Sequence, residues 1–91
     1  LDTAFGDLAR DDAGRVRTTL TAPDGRSVSL WQGPGFDYVQ VFTTDRYPGQ
    51  ELAVAIEPMT APANAFNSGQ DLRILAPGER WAGQWGIECA P

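Results

Sequence analysis

Histidine and lysine are absent from the 91 residues, and cysteine and methionine occur once each. Without histidine, any chemistry that needs an imidazole must draw it from outside these residues. With Cys89 as the sole thiol, no internal disulfide can form, which favours a cytoplasmic setting. No apolar run approaches the roughly 20 residues of a transmembrane helix, so no membrane partner is expected. Basic charge is also sparse. The seven arginines (Arg10, Arg15, Arg17, Arg26, Arg46, Arg73 and Arg80) are scattered, and the net charge is −5. An acidic surface repels phosphate backbones, so nucleic acid is excluded as a partner. No metal-ligand cluster, phosphate-binding glycine loop or nucleophile–histidine pair occurs, and no cofactor or metal is expected. The first residue is Leu1, which reads as the start of a fragment.

What is present is a series of short apolar runs between turn residues, the pattern of an all-β protein. Residues 15–21 alternate and are rich in β-branched side chains. Ala22-Pro23-Asp24-Gly25 is a turn signal, and residues 26–31 alternate again, so this region is expected to form a hairpin. Strands are also expected over residues 38–43, 52–57, 72–75 and 81–87. The alternation places Tyr38, Gln40 and Phe42 on one face of their strand, and Val39, Val41 and Thr43 on the other. In the last strand it puts Trp81, Gly83, Trp85 and Ile87 on one face. Six strands with tight turns make an antiparallel sandwich or part of one.

Glu57 ends the apolar run from Leu52 to Ile56 and precedes Pro58, which biases it toward extended geometry. A carboxylate held at a strand end suits a general base, although a solvated acid at a strand tip has the same spacing. Gln40 is polar within an aromatic and apolar strand. Its amide could bond a sugar hydroxyl, or face water on an edge strand. Asp2 is uninformative in isolation. Trp31, Trp81 and Trp85 could stack on sugars, but large aromatics more often fill cores.

Four blocks, taken together, carry a family resemblance. They are Leu1-Asp2-Thr3-Ala4-Phe5, Tyr38-Val39-Gln40-Val41-Phe42-Thr43-Thr44-Asp45, the stretch from Ile56-Glu57-Pro58-Met59-Thr60 to Gly69, and Leu75-Ala76-Pro77-Gly78-Glu79-Arg80-Trp81. In this order they resemble segments of the aldose 1-epimerase (galactose mutarotase) family. The resemblance implies that residues 1–91 are the C-terminal part of an antiparallel β-sandwich, a galactose mutarotase-like supersandwich whose N-terminal part lies outside this chain. It implies that Glu57 is the general base that takes the anomeric proton. Asp2 and Gln40 would bind the hydroxyls of an aldohexose such as glucose or galactose. The family's histidine acid would come from the missing N-terminal part, so this segment alone would be inactive. Two other readings remain: a non-catalytic carbohydrate-binding or regulatory relative, and a purely structural sandwich module.

Overall fold

The computed structural model describes all 91 residues, 1–91. Its strands are β1 (Asp2–Phe5), β2 (Val16–Thr21), β3 (Ser27–Gln32), β4 (Tyr38–Thr44), β5 (Ala53–Met59) and β6 (Trp85–Ala90), with a single helical turn, α1 (Ala65–Ser68), between the last two. They form two three-stranded sheets, ordered β1-β4-β5 and β2-β3-β6. Every pairing is antiparallel. The chain is therefore all-β and sandwich-like.

The expected hairpin forms as β2–β3. Gly25 N–H donates to the Ala22 carbonyl and Ala22 N–H to that of Arg26. Gly25 has φ +92°, a backbone geometry that a side chain would strain. Asp24 caps the turn from within, accepting from the Arg26 backbone and side chain.

Side chains of successive strand residues alternate between faces, so the registers define both faces of each sheet. In the first sheet Val39, Val41, Val54 and Ile56 face inward. In the second, Leu20, Val28, Leu30 and Ile87 do. Leu20, Val28, Leu30, Val54, Ile56 and Ile87 meet around an all-apolar cleft of about 170 Å³. The core is small. Val16, Leu30, Val39 and Ala65 are its buried apolar residues, whereas Leu20 and Ile87 remain 45% and 63% exposed.

One polar side chain ties the sheets together. Gln32 ends β3 and is fully buried. Its amide nitrogen donates to the Phe36 carbonyl at 2.9 Å and the Tyr38 carbonyl at 2.8 Å, fixing the crossing from one sheet to the other. Its own carbonyl oxygen has no partner. Arg10 braces the same crossing from outside, donating to the Gly14, Gly33 and Phe36 carbonyls and pairing with Asp37 at 2.6 Å. Replacing Gln32 with Leu should take this donor from the Tyr38 carbonyl and leave the Phe36 carbonyl with Arg10 alone. The expected loss is about 1–3 kcal/mol, reduced where removal of the orphaned amide oxygen offsets it. The shift of the urea unfolding midpoint measures it.

Three strand expectations require correction. Residues 72–75 form no strand. The segment follows Asp71 at φ +52°, finds no partner strand, and leaves Ile74 80% exposed. A four-residue apolar run is stable as a strand only when a free edge receives it. The last strand begins at Trp85, not residue 81. The Trp81 ring instead fills a niche against Gly35 and Gly83, edge-on to Phe36 at 5.4 Å, with the Arg73 guanidinium 4.9 Å from its centroid. Of the expected shared face, only Trp85 and Ile87 lie in the strand. Finally, β5 runs past Glu57 to Met59, so Glu57 lies inside the strand and not at its tip. Pro58 is accommodated because β5 is a sheet edge, where a missing N–H is tolerated.

Candidate functional site

The three residues singled out in the sequence come together on the outer face of the first sheet. Gln40, on the central strand β4, lies directly opposite Glu57 on β5 and Ala4 on β1. Directly opposed residues in such ladders have Cβ atoms roughly 4.5–5.5 Å apart. Asp2 lies one row along, opposite Phe42. The long amide reaches it diagonally, and Gln40 Nε2 donates to Asp2 Oδ1 at 2.5 Å. The order across the face is acid, amide, acid, contributed by three adjacent strands.

The contact with Asp2 fixes the amide's orientation. An amide oxygen turned toward a carboxylate at that distance would be repelled, so the nitrogen must face Asp2. Gln40 Oε1 is then left buried and without a partner. Gln32 Oε1 is in the same state, so the buried oxygen belongs to the packing of the strand and the exposed groups of the face are its flanking acids. Asp2 and Glu57 are exposed. Ionised carboxylates only accept, so these two acids are the acceptors the face presents. The face is therefore an array of acceptors that suits a ligand rich in O–H donors.

No family profile matches the chain, and no solved structure does. Over 42 residues, 46% of this chain, it is 50% identical to the uncharacterized protein YihR of Escherichia coli (strain K12). The matched stretch spans only 13% of YihR's length.

Tyr38 and Asp71 extend the same face. Tyr38 lies opposite Met59, two residues before Gln40 on the strand. Its hydroxyl donates to Asp71 Oδ2 across 33 residues of sequence. A Cβ on Gly6 would lie 2.8 Å from the Tyr38 ring, so the tyrosine packs directly on that glycine. The hydrogen bond to Asp71 is the main cause that holds the Tyr38 phenol above its ordinary titration range, with burial adding to it. A raised value favours the neutral phenol. The contribution to stability is complete below the unfolded tyrosine pKa near 10 and is lost as pH rises through Tyr38's folded value. Asp71→Asn should bring the Tyr38 titration back toward the ordinary range. Phenolate absorbance measures this in a Tyr47→Phe background, where Tyr38 is the sole tyrosine. Asp71 carries no sequence signal, because only the return of the 70–84 segment brings it to β4.

None of the three tryptophans reaches this face. Trp31 lies under the Arg15 guanidinium, 4.0 Å from the ring centroid, and against Gly86 in the second sheet. Trp81 is held in its glycine-lined niche, and Trp85 belongs to β6. Asp2, Gln40 and Glu57 line none of the molecule's concavities. Two hollows lie beyond the ends of the site. One is lined by Phe42 to Arg46 and Leu52, and the other by Phe36 with the loop that follows Met59. No helix is long and apolar enough to cross a membrane.

Proposed function

We propose that this chain supplies part of the sugar site of an aldose 1-epimerase-like mutarotase. The observation that carries this reading is the acid–amide–acid cluster on one sheet face, in which Gln40 is bonded to Asp2 and faces Glu57 in register. A pyranose offers several hydroxyl donors on one ring, spaced to engage such an array. Glu57 would take the proton from the anomeric hydroxyl as the ring opens to the aldehyde. The chain would return that proton when the ring recloses on the other face. Asp2 and Gln40 would hold the ring hydroxyls. No electron changes hands, so the exchange requires only a base and an acid.

The acid that protonates the ring oxygen is the missing half. This chain has no histidine, and neither Asp2 nor Gln40 is suited to that step while they bond each other. The segment is accordingly expected to bind sugar without turning it over. The exposure of Glu57 also favours a second reading, a non-catalytic carbohydrate-binding relative, because an open face excludes little water.

Polarimetry separates these readings. A protein that contains this segment together with the acid should accelerate glucose or galactose mutarotation, and its Glu57→Gln variant should not. Acceleration by residues 1–91 alone would remove the need for the second group. Sugar binding with no acceleration in the longer protein would establish the non-catalytic relative instead.

A further inference from the structure

We propose that Phe42 is the platform on which the apolar face of the sugar ring packs. This rests on the carbohydrate reading of the acceptor array and extends it by naming the residue that supplies the non-polar contact. Hydroxyl acceptors alone bind sugars weakly in water, because each bond formed replaces one to solvent. Carbohydrate sites therefore pair such groups with an aromatic surface that covers the ring's C–H face.

Two aromatics share the outer face of β4 with Gln40. Tyr38 is already engaged, its ring on Gly6 and its hydroxyl on Asp71. Phe42 is not. It is 39% exposed, and no aromatic or cationic side chain stacks on it. The other phenylalanines are placed elsewhere: Phe5 pairs with Val39 on the inner face, Phe36 meets Trp81, and Phe66 belongs to α1.

The neighbours of Phe42 leave its ring open. Across β5 it faces Ala55, whose side chain is too short to cover it, and across β1 it faces Asp2. Gln40 lies two residues along the same face. A ring resting on Phe42 would thus have the Asp2 carboxylate at one edge and the Gln40 amide at another. Phe42 also forms one wall of a hollow of about 490 Å³ with Thr43, Thr44, Asp45, Arg46 and Leu52. Glu57 is not part of that lining, and the hollow would give room for the end of the sugar that does not react.

The test is binding of glucose and galactose to the 91-residue chain, followed by saturation-transfer NMR and titration. Wild type should bind, with intermolecular NOEs between the Phe42 ring protons and the sugar ring C–H protons. Phe42→Ala should weaken binding about tenfold. Phe42→Leu should weaken it as well, because it keeps apolar area without a flat face, and Phe42→Trp should retain it. Amide spectra check that each variant is folded. If Phe42→Ala fails to fold, the wild-type NOEs and the Leu and Trp variants decide the matter. Wild-type binding with no Phe42 NOEs, or unchanged in Phe42→Ala, overturns the platform and leaves the carbohydrate reading standing. Failure of the wild-type chain to bind either sugar overturns both.

Discussion

In a longer protein that supplies the acid, Glu57→Gln should lower kcat for the proposed mutarotation by about 10²–10⁴-fold, the usual contribution of a positioned base, while KM changes little. The substitution preserves size and shape but removes the carboxylate's charge and with it the capacity to accept a proton. On the proposed reading Asp2 and Gln40 still hold the sugar, so binding should be retained. Stability should also be retained, because Glu57 is exposed on an edge strand and its side chain makes no hydrogen bond or ion pair. Exposed substitutions of this kind usually stay within about 0.5 kcal/mol. A loss of rate therefore cannot be confused with unfolding. Polarimetry at saturating and limiting sugar separates kcat from KM. Turnover near the wild-type value would remove Glu57 from the role of base.

The largest effect on stability is expected at Gly35. Its φ of +93° is unfavourable for any residue with a side chain, at about 1–2 kcal/mol. A Cβ there would also lie 2.6 Å from the Trp81 ring. The ring cannot easily retreat, because Gly83 and Phe36 close the other sides of its niche. Crowding of this kind costs about 1–3 kcal/mol. Gly35→Ala should thus lose about 2–5 kcal/mol in total, a large share of the margin of a small domain. Gly78 provides the control. It has φ +84°, but a Cβ there would meet nothing within 4 Å, so Gly78→Ala should show the backbone cost alone. Urea unfolding of the two variants isolates the contribution of the Trp81 niche. Equal losses would show that Trp81 yields freely.

Local patterns in the sequence were enough to identify part of this structure. The β2–β3 hairpin was legible because its alternation and its Pro-Asp-Gly turn agree. The face shared by Tyr38, Gln40 and Phe42 followed from the period of two. The grouping of Asp2 with Gln40 was accessible only through the family resemblance, since 38 residues separate them and β1 is too short to announce itself. What escaped depends on tertiary partners. Leu72 to Leu75 looks like a strand but has no edge to join. Trp81 looks like part of a strand but is captured by two glycines and Phe36. The end of the apolar run at Ile56 suggests that the strand stops at Glu57, whereas the edge location of β5 lets pairing continue through Pro58 to Met59. Asp71 was invisible, because its contact with Tyr38 is made by a returning loop without regular pattern.

The burial of Gln32 has a mechanical consequence. Its amide grips the carbonyl of Tyr38, the residue at which β4 begins. Gln40 is two residues further along that strand. A change in the tilt between the two sheets would therefore pull on the strand that carries the central amide of the site. Loss of that single clasp would thus be felt first at the near end of the strand on which Gln40 stands.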